Sequence, residues 1–154
     1  MSIYTLHREQ HLPISITEAW NFFSAAGNLS KITPPEMKFI IQTDLIGKTI
    51  HSGMKIEYSV SPLLNIPLHW ITEIINVHEP YSFTDKQIKG PYKLWEHTHT
   101  FQETATGVKM TDEVRYALPM GWVGDLAHSL IVKHKLDNIF DFREKTLVNL
   151  FSVK

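Results

Sequence analysis

"YKLWEHTHTFQETATGVKMTDEVRYAL", Tyr92 to Leu118, is the stretch on which the reading of this sequence turns. Trp95, His97, His99 and Phe101 fall on alternate positions, and so do Val108, Met110, Asp112, Val114, Tyr116 and Leu118. Alternation of this length marks β-strands with one buried face. Between them "TATG", Thr104 to Gly107, has the composition of a hairpin turn. Two long strands therefore present two imidazoles and a carboxylate on the face that also carries large rings. A metal site, a catalytic wall and a ligand pocket would each use such a face.

The pattern continues outward. "KGPY" turns the chain at Gly90-Pro91, and Tyr81 to Ile88 reads as the preceding strand, just beyond Pro80. Before it come Leu68 to Val77, Ile50 to Val60 and Phe39 to Thr43; Ile3 to Leu12 opens the chain as a strand ended by Pro13. In "SITEAWNFFSAAG" the Ser15/Glu18 spacing is that of a capping box, Gly27 is placed to stop the helix, and Pro34-Pro35 closes the following turn. Trp20, Phe22 and Phe23 are expected to pack this short helix on the sheet.

The last segment has a different period. From Asp125, read as an N-cap, to Phe151, the residues Leu126, Leu130, Leu136, Ile139, Phe140, Leu147, Leu150 and Phe151 recur at helical intervals without Pro or Gly. Such a helix is about 40 Å long and must bury its apolar stripe on the concave face of the sheet. The reading is an α+β fold: a seven-stranded antiparallel sheet wrapped around a long C-terminal helix, with two short helices after the first strand.

Composition narrows the function. At 154 residues the chain is read as one domain, 1–154. Fifteen basic against sixteen acidic residues give a net charge of −1, which argues against nucleic acid and against stable membrane association. With no cysteine there are no disulfides or thiolate metal sites, and a cytoplasmic setting fits. No apolar run approaches the ~18 residues of a membrane span, and no secretory signal is seen. No feature fixes an oligomeric state.

Choosing the alternation that gives each strand its apolar residues puts Tyr58, Trp70, Phe83, Gln87, Trp95, His99 and Tyr116 on the inner face, as candidate ligand-binding residues. If the hairpin pairs Phe101 with Val108, His99 faces Met110 and His97 faces Asp112. If the Gly90-Pro91 turn pairs Gln87 with Trp95, Asp85 also faces His97. Asp85, His97 and Asp112 thus become the candidate catalytic group, an imidazole whose charge and tautomer two carboxylates control. A register slip of two residues keeps the face and changes the partners.

The inner face carries too much polarity for a dry core, which points to a cavity. His97 and His99, with Asp85 or Asp112, also have the makings of a metal site. With no third histidine in an obvious pairing position, no metal and no cofactor are expected.

Three segments carry a family resemblance: "EAWNFFSAAGNLSKITPP" (Glu18 to Pro35), "FTDKQIKGPYKLWEHTHTF" (Phe83 to Phe101) and "MTDEVRYALPMG" (Met110 to Gly121). Together with the terminal helix they resemble the SRPBCC superfamily, the helix-grip fold of START domains, polyketide cyclases and birch-pollen-type allergens. Within it they are similar to the bacterial ligand-binding SRPBCC proteins. The resemblance implies a cavity between sheet and helix that binds an apolar, lipid-like or polycyclic small molecule. It transfers no universal catalytic residue. The leading expectation is a small-molecule binding protein. The alternatives are an enzyme of cyclase, dehydratase or isomerase type using His97 with Asp85 or Asp112, and a protein-interaction module using the sheet's outer face or edge.

Overall fold

A computed structural model describes residues 2–61 and 65–152. β1 (Tyr4–Leu12) runs into α1 (Ile16–Ser24), where the Glu18 amide donates to Ser15 Oγ at 3.1 Å and caps the first turn. The helix ends at Ser24, short of Gly27, and tightens into a 3-10 segment, Ala26–Ile32. A second one, Pro35–Met37, leads to β2 (Ile40–Ile41). Then follow β3 (Lys55–Val60), β4 (Leu68–His78), β5 (Ser82–Lys89), β6 (Leu94–Thr104) and β7 (Gly107–Ala117).

These strands form one sheet in the order β1-β7-β6-β5-β4-β3-β2, every neighbour antiparallel. The meander from β2 to β7 follows from short turns between long strands. β2 and β3 are shorter than expected. The chain turns at residues 51–54 before β3 begins: Gly53 takes φ 88°, the Met54 amide bonds back to the His51 carbonyl at 3.0 Å, and Gly53 and Met54 bond to the Ile74 backbone at 2.7 and 2.8 Å.

The C-terminal helix is continuous from Gly121 to Phe151: α2 (Gly121–Ala127), a π turn (His128–Val132) and α3 (Lys133–Phe151). It starts four residues before the expected N-cap, from Met120 in the left-handed conformation. Asp125 lies inside the helix and instead accepts from Ser2 Oγ at 2.9 Å and Tyr4 Oη at 2.7 Å, tying the helix to β1.

The stripe facing the sheet also differs from expectation. Gly124, His128, Leu136, Phe140, Arg143 and Leu147 are buried, whereas Leu126 and Leu130 are 53% and 66% exposed. Two residues along a helix is about 200° of rotation, so Leu126 and Leu130 point away once Gly124 and His128 face inward. Gly124 lets the first turn press on the connector, since a Cβ there would stand 2.2 Å from the Pro119 carbonyl oxygen.

Candidate functional site

A cavity of about 520 Å³ lies between the helix and the concave face of the sheet. Tyr58, Trp70, Phe83, Tyr92, Trp95 and Phe140 give it an aromatic wall, and Asp85, His97, His99 and Arg143 bring polar groups to it. Trp70 and Trp95 meet edge to face, with centroids 5.3 Å apart at 77°, and Tyr92 lies tilted at 39°, 4.8 Å from Trp95. Its volume is in the range of small-molecule sites.

Three of these polar residues, Asp85, His97 and His99, form a square with Asp112. His97 Nε2 donates to Asp112 Oδ1 at 2.7 Å, and His99 Nε2 donates to Asp85 Oδ2 at 3.0 Å. The diagonals are longer: His97 Nδ1 lies 3.8 Å from Asp85 Oδ2, and His99 Nδ1 lies 3.4 Å from Asp112 Oδ1, off the line of a hydrogen bond. Both imidazoles bridge the two carboxylates, stacked on each other at 3.9 Å and 28°. Phe83 covers the outer side of His99 at 4.3 Å. Asp112, His97 and His99 are all buried, so each charge here depends on its neighbours.

Those neighbours divide the protons. Burial opposes ionisation of Asp112, yet the hydrogen bond from His97 and the adjacent His99 imidazole hold its carboxyl well below the usual range. Asp85 is lowered in the same way, chiefly by His99 acting against burial. Burial and the adjacent His99 push the His97 proton off, more strongly than Asp112 holds it. His99 also suffers burial, but its two carboxylates outweigh it and raise its pKa. The proton therefore belongs to His99. Two carboxylates flank His97, but burial first and the stacked His99 second outweigh them.

The register explains why the group still assembles. Asp85 pairs with His97 as expected, but Phe101 pairs with Met110, His99 with Asp112 and His97 with Val114. Hairpin pairing of Thr104 with Gly107 moves β7 by two residues against the expected register. The face is preserved, and Asp112 reaches His97 diagonally.

Asp85, His97 and His99 each offer a ligand atom within 4.8 Å of the others, the makings of a two-histidine, one-carboxylate cation site. The stacked rings run side by side, however, and would have to splay to converge on one ion.

Solved structures share this architecture at low sequence identity. Protein CV1439 from Chromobacterium violaceum aligns with a TM-score of 0.71 at 12% identity, over 98% of this chain and 99% of that one. Norcoclaurine synthase from Thalictrum flavum, solved as a point mutant with a transition-state analogue, aligns at 0.64 and 16%, over 98% of each chain. Ara h 8.0201 aligns at 0.62 and 13%, over 96% of this chain and 99% of that one. The chain has the helix-grip fold. No family model matches the sequence, and neither does any curated protein, so the likeness lies in the fold.

Within the helix-grip frame, Tyr58, Trp70, Phe83, Trp95 and His99 stand on the cavity wall, with Asp85 and His97. Gln87 and Tyr116, expected there, are engaged elsewhere. The Gln87 amide clamps the backbone of Tyr92, donating to its carbonyl at 2.7 Å and accepting from its amide at 3.2 Å. The Tyr116 hydroxyl is hydrogen-bonded to His128 Nε2 at 2.7 Å. Burial pushes Tyr116 up to about 12 and His128 down, so the pair stays neutral. Asp112 lies behind the imidazoles, outside the cavity lining.

The sequence reading missed Tyr92 and Arg143. Arg143 had a signal: it is a charge on the buried stripe, three residues after Phe140 and four before Leu147.

Proposed function

We propose that this helix-grip domain is a small-molecule binding protein, close in kind to the bacterial ligand-binding SRPBCC proteins. It holds an apolar or polycyclic ligand between sheet and helix. The observation that carries the reading is the aromatic cavity of about 520 Å³, to which Asp85, His97 and His99 from the sheet and Arg143 from the helix bring polar groups. Apolar surface drives binding there, and the polar groups fix orientation. Burial supports a binder over an interaction module, because Trp95 and His97 are only 8% and 4% exposed. The single domain works in the cytoplasm, a setting consistent with the absence of cysteine.

One observation favours a second reading, an enzyme of cyclase, dehydratase or isomerase type. With Nε2 donating to Asp112, neutral His97 keeps a basic Nδ1 on the Asp85 side. That is the tautomer a general base needs.

Fluorescence titration with N-phenyl-1-naphthylamine tests the binding reading. Saturable one-to-one uptake, weakened about tenfold in a folded Trp95→Ala variant, is expected. Non-saturating uptake that ignores the substitution counts against a defined site.

A further inference from the structure

Arg143 is the buried charge that the histidine–carboxylate square does not absorb. It sits on the sheet-facing stripe of α3 and is 6% exposed. Its Nε is fully buried without a partner, and its Nη1 comes no nearer to Asp112 Oδ1 than 3.9 Å. Among the described residues Arg143 donates no hydrogen bond; its one close companion is the Phe140 ring, with Cζ 4.7 Å from the centroid. Buried guanidinium groups normally spend their donors on carboxylates or carbonyls, because leaving them unmade costs free energy.

Neutralising Asp112 does not account for this arrangement. Asp112 Oδ1 already accepts from His97 at 2.7 Å and has His99 at 3.4 Å, so the imidazoles stand closer than the guanidinium does. A cation held only to balance that carboxylate would close to hydrogen-bonding distance, as Arg8 does with Asp141 at 2.8 Å. Arg143 instead reaches the cavity wall with its donors unspent. Asp85, the acid that does line the cavity, has its Oδ2 occupied by His99.

We infer that Arg143 is a ligand anchor, and that the cavity's ligand carries an acidic oxygen group, a carboxylate or a comparable oxyanion, on its apolar body. This deepens the binding reading above and rests on it. A guanidinium presents a planar fork of donors matched to such a group, and a site of low dielectric strengthens the pairing. Stacking on Phe140 fixes the plane of the fork without using a donor.

Two probes that differ by one anionic group test this. 1-Anilinonaphthalene-8-sulfonate and N-phenyl-1-naphthylamine share a ring system, and only the first carries a charge. The wild-type protein should bind the sulfonate at least tenfold more tightly. Arg143→Met should remove that preference while changing naphthylamine affinity less than twofold, which also shows that the variant is folded. Arg143→Lys, which keeps the charge and loses the fork, should fall between. Equal affinity for the two probes in the wild type, or equal loss of both in Arg143→Met, would overturn the inference and leave the cavity reading standing. Failure of both probes to saturate would overturn both.

Discussion

His97 Nε2 and Asp112 Oδ1 are 2.7 Å apart, although the residue directly across from His97 is Val114. The contact is diagonal, and it leaves His99 directly opposite the same carboxylate. One acid thus serves two imidazoles, and the second acid, Asp85, faces both from β5. Within the cluster His99 takes a proton more readily than His97.

The first expectation concerns where that proton sits. In an NMR titration His99 should titrate above 6.5 and His97 below it. Asp112→Asn should lower both midpoints, and Asp85→Asn should lower that of His99. A His97 midpoint above that of His99 would mean that the stacked pair divides its charge the other way.

Stability should follow the same two groups in opposite directions. The raised His99 contributes fully below about pH 6.5 and loses that contribution as pH rises through its folded pKa. The lowered His97 contributes fully above about 6.5 and loses its share as pH falls through its own. Asp85 and Asp112, both lowered from 3.8, withdraw theirs only in stronger acid. Urea midpoints measured from pH 3 to 9 should therefore peak near neutrality. In a His97→Phe, His99→Phe double variant the histidine part of this dependence should flatten; an unchanged profile would show that other groups set it.

Gly107 supplies a test of the fold itself. A Cβ at this position would stand 2.1 Å from the Leu12 carbonyl oxygen, where the hairpin end meets β1. Neither atom belongs to a flexible side chain, so the strain has no easy outlet. Gly107→Ala should cost about 1–3 kcal/mol in urea unfolding. A cost near zero would mean that β1 does not hold to β7 as described.

Much of this was legible in the sequence because strands and helices carry different periods. The alternation of Val108, Met110, Asp112, Val114 and Tyr116 fixes the inner face of β7 without any knowledge of its partner. Register is less legible, since Phe101 opposite Val108 or opposite Met110 satisfies the same alternation. The start of the long helix before Asp125 is not legible, because Gly121 and Gly124 add no apolar residue to the helical period. In the fold Gly121 takes φ 54° and Gly124 lets the first turn press on Pro119. Gln87 shares the face of Phe83 and Asp85, yet its side chain turns to Tyr92; side-chain direction at a strand end is not written in the alternation.

Whether the cavity holds a small molecule can be read from native mass spectrometry of gently purified protein. The expected species is heavier than the bare chain by one small molecule, with the added mass lost on denaturation. Protein that shows only the mass of the bare chain, and that also fails to take up N-phenyl-1-naphthylamine saturably, would contradict the binding reading.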